Sequence, residues 1–75
     1  MNDEVARRLV ELSDELSQSD AAERAEIESA LVAFHEDGNH QALGERLHDW
    51  VLRLESSHPQ MSRIMARVLD AMPGV

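Results

Sequence analysis

The chain has 75 residues, no cysteine and only two aromatic side chains, and its fifteen acidic residues outnumber seven arginines, for a formal charge of −8. A chain this short forms one domain and buries only about 60–65% of its unfolded surface. It is therefore marginally stable without a covalent cross-link, a bound metal or a partner chain. The lack of cysteine excludes disulfides and thiolate metal sites. A pocket of several hundred cubic ångströms does not fit beside a core of this size, so we expect neither an enzyme nor a cofactor.

The charge is concentrated in the first half of the chain. Residues 1–38 carry eleven acidic side chains against three arginines, whereas residues 39–75 carry four of each. Because an acidic surface repels phosphate groups, we expect no direct binding to nucleic acid. The N-terminus has no apolar signal-peptide region, and no segment approaches membrane-spanning length. We therefore expect a cytoplasmic protein that does not bind membranes.

The first predicted helix covers about residues 3–17, and the second covers about residues 21–36. Their apolar residues recur at helical spacing, in helix one at Val5, Leu9, Leu12 and Leu16 and in helix two at Ile27, Ala30, Leu31 and Phe34. Asp20 and Glu23 have the spacing of a capping box, which predicts the start of helix two. The first turns of helix two offer only alanine to a core, so they should be its loosest part. Gly38 is expected to end this helix.

The third predicted helix covers about residues 40–55, and the fourth covers about residues 59–72. The inward positions are Leu43, Leu47, Trp50 and Leu54, flanked by Val51, in helix three and Met61, Ile64, Met65, Val68 and Met72 in helix four. Trp50 should therefore be at least partly buried. Pro59 favours the first position of a helix and keeps His58 out of helical geometry, so His58 is predicted as the N-cap. Pro73 and Gly74 are expected to end helix four.

Together these elements predict an all-α fold in a single domain spanning residues 1–75. With short connections, the four helices form an up-down-up-down bundle or a pair of helical hairpins. No segment shows the alternation that is typical of a strand.

Two Glu-x-x-His pairs, Glu45 with His48 and Glu55 with His58, have the spacing that di-iron bundle proteins use. Glu45 lies nearly opposite the apolar stripe of helix three, and the second pair spans the predicted turn. A metal in the bundle core needs inward-facing ligands. We therefore expect no metal site, and we interpret His58 and Pro59 as the corner of a helical hairpin.

Several side chains outside the apolar stripes are candidates for an interaction surface. They are the apolar Val10, Val32 and Leu52, the outward arginines Arg63 and Arg67, and the acidic Glu11, Glu15, Glu26 and Glu28. Exposed apolar side chains on so small a domain favour self-association. The resulting hypothesis is an adaptor-like protein–protein interaction module that forms a homodimer at micromolar concentration and binds another protein. The alternative is an acidic inhibitor that mimics nucleic acid and blocks a nucleic-acid-binding protein.

The stretch LESSHPQMSRIMARVLDAM, which begins at Leu54, resembles the C-terminal signature of a small bacterial family, the domain of unknown function 4404. The positions that match are Glu55, Ser57, His58, Pro59, Val68, Asp70 and Ala71, and the close match covers about twenty residues. The resemblance implies a helical fold in a bacterial or phage setting, and it gives no information on activity.

Overall fold

The computed structural model describes residues 3–72 of the chain, which form four α-helices joined by short connections. These are α1 (Asp3–Ser17), α2 (Arg24–Asp37), α3 (His40–Leu54) and α4 (Pro59–Ala71). No strand is present in residues 3–72, so the predicted all-α class is confirmed for that range.

The helices are arranged as an up-down-up-down bundle. α4 packs closely against both α1 and α3, and α2 packs less closely against α1 and α3. Side-chain pairs show that α1 and α4 are antiparallel, since Glu11 lies 3.8 Å from Arg67 and Glu15 lies 3.4 Å from Gln60. Within the described residues no Cα atom of α1 lies within 8 Å of one of α3, and none of α2 lies within 8 Å of one of α4, so these pairs lie diagonally across the bundle.

The core consists of the predicted apolar stripes of all four helices. The buried members are Val5, Leu12, Leu16, Ile27, Ala30, Phe34, Leu43, Leu47, Trp50, Leu54, Met61, Ile64, Met65, Val68 and Met72, and partly buried Leu9, Leu31 and Val51 pack against them. Trp50 is 1% exposed, which confirms its predicted burial. Burying these apolar side chains is the main favourable contribution to folding.

α3 and α4 each bury one small residue that the apolar pattern does not include. Gly44 and Ser62 are both buried. The Ser62 hydroxyl donates a hydrogen bond of 2.8 Å to the carbonyl oxygen of Val51. A buried polar group needs such a partner, so this bond makes the site suitable for serine.

The predicted start of α2 at residue 21 is wrong, because the helix begins at Arg24. Glu23 is the N-cap and makes no capping hydrogen bond through its side chain. Instead, the Ser19 hydroxyl accepts a hydrogen bond from the backbone N–H of Ala21, and Ala21 is buried. This local bond holds residues 19–21 in a non-helical turn, so Asp20 does not form the predicted capping box.

The other helix boundaries follow the predictions closely. Gly38 ends α2 with φ of +66°, and its N–H donates to the carbonyl oxygen of Phe34. Asn39 caps α3 by accepting a hydrogen bond from the N–H of Ala42. His58 is the N-cap of α4 and Pro59 is the first residue of that helix, as predicted. The stop signal predicted at residues 73–74 lies outside the described residues.

α2 is the least firmly packed of the four helices. Only Ile27, Ala30 and Phe34 are buried along its length. Open grooves of about 360 Å³ and 160 Å³ separate it from α1 and from α3 respectively. None of the helices in residues 3–72 combines the length and the apolar character needed to cross a bilayer.

Candidate interaction surface

Among residues 3–72 three large apolar side chains are exposed, and they are the ones that the sequence placed outside the apolar stripes. Val10 is 69% exposed, Val32 is 61% exposed and Leu52 is 60% exposed. Their predicted exposure is therefore confirmed. Scattered exposed apolar residues are ordinary in soluble proteins, so their positions relative to one another decide whether they form a surface.

Val10 and Val32 lie at the same outer face of the bundle. The groove between α1 and α2 is lined by Ala6, Leu9, Val10, Ser13, Leu31, Phe34 and His35. Val32 does not line the groove, but it follows Leu31 and is turned by about 100° further from the core on the α1 side of α2, so it faces outward beside the groove. We call this groove together with Val32 the α1–α2 face.

Leu52 does not belong to the α1–α2 face. It lies on α3, which is diagonally opposite α1 in the bundle. Its neighbours one turn before it on α3 are His48 and Asp49, both exposed. Leu52 is therefore a separate exposed apolar residue.

Two of the acidic candidates lie in the seam between α1 and α4, away from the α1–α2 face. Glu11 accepts a hydrogen bond of 2.9 Å from Arg8 and also lies near Arg67. Glu15 accepts one from Gln60. The hydrogen bond that Arg8 donates to Glu11, followed by the charge of Glu4, raises the pKa of Arg8 above its usual value. These carboxylates already have partners within the chain.

The two acidic candidates on α2 also make contacts within the chain. The carboxylate of Glu26 accepts a hydrogen bond of 3.0 Å from the indole Nε1 of Trp50, on the α3 side of α2. Glu28 pairs with Arg24 at 3.7 Å. The first of these contacts was not foreseen from the sequence, because it joins residues that are distant in the chain.

The two arginine candidates differ in their surroundings. Arg67 is half exposed and faces Glu11 across the α1–α4 seam. Arg63 is exposed, and no acidic side chain among residues 4–72 lies within ion-pair distance of it. The structure therefore does not join Arg63 and Arg67 into a single cluster with the apolar candidates.

The Glu-x-x-His pairs do not meet in a ligand cluster. Glu45 and His48 are exposed beside a shallow, open depression between α3 and α4. His58 lies at the corner, with Nδ1 3.2 Å from the hydroxyl of Ser57 and Nε2 3.5 Å from the carboxylate of Asp20. Within residues 3–72 no group of three or more His, Cys, Asp or Glu side chains is arranged to hold a metal ion.

The contact between His58 and Asp20 joins the corner to the connection between α1 and α2. Asp20 is fully exposed there, so this contact is screened by water and contributes little to stability. The corner is thus less local than the sequence suggested, and no further polar group that the structure describes converges on it.

Comparison with known proteins identifies the family. No curated protein and no solved structure matches the chain. The sequence pattern of one family, described as a domain of unknown function (DUF4404), matches residues 3–75. This match covers nearly the whole chain and extends the resemblance seen in its C-terminal part. The chain belongs to the DUF4404 family.

Proposed function

We propose that this domain is a protein–protein interaction module that self-associates as a homodimer through the α1–α2 face. It acts in the cytoplasm as an adaptor for another protein and catalyses no reaction. The observation that carries the proposal is the joint exposure of Val10 and Val32 beside an apolar groove. A contiguous apolar patch on a small domain is typical of an interaction surface.

The distribution of charge supports a second copy as the occupant of this face. Glu11 and Glu15 lie towards α4, and Glu26 lies towards α3. These three carboxylates are thus held to the sides of the α1–α2 face. Two such faces meet without bringing these carboxylates together, which limits the electrostatic cost of self-association.

The dimensions of the bundle limit the area of this face. The Cα positions extend over 30 × 20 × 19 Å. One side of the bundle therefore offers about 600 Å², which is below the roughly 800 Å² per partner of a standard interface. A contact of this size with an apolar centre agrees with a dimer at micromolar concentration.

Sedimentation equilibrium over a range of protein concentrations tests the proposal. We expect the wild type to pass from an 8.4 kDa monomer to a dimer of twice that mass. The double variant Val10→Gln/Val32→Gln should remain monomeric, because it removes the exposed apolar side chains of the α1–α2 face. Leu52→Gln is the matched control and should dimerise normally. A wild type that stays monomeric at high concentration contradicts the proposal, as does loss of the dimer in Leu52→Gln.

The alternative, an acidic inhibitor that mimics nucleic acid, has less support. Such a mimic needs a continuous row of free carboxylates, whereas Glu11, Glu15 and Glu26 face two different seams and accept hydrogen bonds there. Charge-neutral variants separate the two functions. Loss of binding to a basic target in Glu11→Gln/Glu15→Gln, but not in Glu45→Gln, would favour the mimic.

A further inference from the structure

We infer that the two copies of the dimer pack with their α1 helices antiparallel and centred on Val10, so that Arg7 of each copy lies against Asp14 of the other. This inference rests on the proposed self-association through the α1–α2 face, and it specifies the register of that contact. It is drawn from the positions of three side chains on the outer surface of α1.

Arg7 and Asp14 flank Val10 on one side of the helix. Arg7 precedes Val10 by three residues and Asp14 follows it by four. At about 100° per residue, both lie within about 60° of Val10 around the helix axis and on the same side of it. They are about 10 Å apart along the axis, with Val10 between them. The outer surface of α1 therefore carries a basic residue, an apolar residue and an acidic residue in sequence.

Two copies of this pattern attract each other only when the two α1 helices run antiparallel. In a two-fold dimer, residue i of one copy contacts residue j of the other, and j contacts i. An antiparallel alignment about Val10 forms two pairs of Arg7 with Asp14. A parallel alignment places Arg7 against Arg7 and Asp14 against Asp14, which is repulsive. The charges on α1 thus select the antiparallel register.

Both charged side chains are available for this contact. Arg7 is 77% exposed, and its only ion pair in the described residues is a 3.5 Å contact with Glu4. Exposed pairs of this kind are weak and exchange readily. Asp14 is exposed, and no basic group among residues 3–72 lies within ion-pair distance of it. By contrast, Arg8 faces α4 between Glu4 and Glu11.

α2 does not determine the register. Around Val32 it carries Glu28 and Glu36, which have the same sign. Glu28 is partly neutralised by Arg24 at 3.7 Å in its own chain. Val32 therefore adds apolar area to the contact, and the attractive charge pattern lies on α1.

Charge reversal tests the register at low ionic strength, where exposed pairs contribute most. In the antiparallel register position 7 of each copy faces position 14 of the other. Arg7→Asp and Asp14→Arg therefore each create two pairs of like charges in the dimer. We expect each single variant to raise the dimer dissociation constant about tenfold, as two exposed pairs are lost and replaced by repulsion. The double variant Arg7→Asp/Asp14→Arg restores complementarity and should return to within about twofold of the wild type. Arg63→Asp on α4 is the control and should have no effect.

A mixing experiment supplies an independent readout. Arg7→Asp makes this edge of α1 wholly acidic, and Asp14→Arg makes it wholly basic. An equimolar mixture of the two single variants should therefore form heterodimers more tightly than either variant forms homodimers. Circular dichroism establishes that each variant is folded, and sedimentation equilibrium with one labelled variant measures the heterodimer.

The outcomes distinguish this inference from the proposed function. A wild type that does not dimerise overturns both. In a second case the wild type dimerises, while the single and double charge-reversal variants share one dimer affinity and the mixed variants show no preference for heterodimers. That result overturns the antiparallel register alone. Compensation in the double variant together with preferential heterodimers supports it.

Discussion

The indole Nε1 of Trp50 donates a hydrogen bond of 3.0 Å to a carboxylate oxygen of Glu26, and this bond connects α3 to α2. Trp50 is buried, whereas Glu26 is exposed, so the bond lies where the core meets the surface of the bundle. The bond therefore provides the one polar partner that makes a tryptophan suitable at this core position.

Removing the acceptor should destabilise the bundle without removing core volume. Glu26→Ala is expected to lower the free energy of unfolding by about 1–2 kcal/mol, because the hydrogen bond between the indole N–H and a charged carboxylate is lost. Glu36→Ala, an exposed substitution of the same kind on α2, is the control and should change stability by less than about 0.5 kcal/mol. Urea denaturation measures both, and equal effects would contradict this role of Glu26.

Removing the indole itself should cost more. Trp50→Ala is expected to lower the free energy of unfolding by about 3–5 kcal/mol, which approaches the whole stability of so small a domain. Leu52→Ala lies on the same helix and removes an exposed side chain, so its melting temperature should stay near that of the wild type. A Trp50→Ala variant that melts within a few degrees of the wild type would show that the bundle does not depend on this packing.

The corner at His58 and Pro59 should tolerate substitution. Pro59→Ala is expected to cost about 1 kcal/mol or less, since it mainly increases the entropy of the unfolded chain. His58 makes no capping hydrogen bond through its side chain, and asparagine is a better N-cap. His58→Asn should therefore be neutral or slightly stabilising in thermal melts. A folded His58→Asn variant that no longer binds its partner would show instead that His58 is a recognition residue.

Gly38 should resist replacement because of its backbone conformation alone. Its φ is +66°, and no atom lies within 4 Å of the position that a Cβ would occupy. Gly38→Ala is expected to cost about 1–2 kcal/mol, which is the penalty for an L-residue in the left-handed region. Gly38→Asn should cost less, because asparagine tolerates this region better. Chemical denaturation of both variants checks the order, and equal stability of Gly38→Ala and the wild type would contradict it.

The sequence predicted the four helices and their core because these depend on local periodicity. Every apolar stripe position in α3 and α4 that was expected inward is buried or partly buried. The start of α2 was not predicted correctly, because Ser19 and Asp20 both have side chains that cap helices or stabilise turns. The choice between them depends on the burial of Ala21, which only the assembled bundle determines.

The candidate surface was predicted only in part, for a similar reason. Periodicity along each helix correctly indicated that Val10, Val32 and Leu52 are exposed. Whether they share a face depends on the order of the helices around the bundle, which no single helix encodes. The bond between Glu26 and Trp50 required the same information, since it joins residues that are 24 positions apart.

The loose packing of α2 has a consequence for local opening of the fold. A helix with three buried residues and an open groove on each side separates from the bundle at lower free energy than α1, α3 or α4. Its backbone amides should therefore exchange with deuterated solvent before those of the other helices. In the proposed dimer a second copy on the α1–α2 face would cover this same helix, so dimerisation should slow that exchange as protein concentration rises. In this dimer, α2 gains from its partner the protection that the bundle alone does not provide.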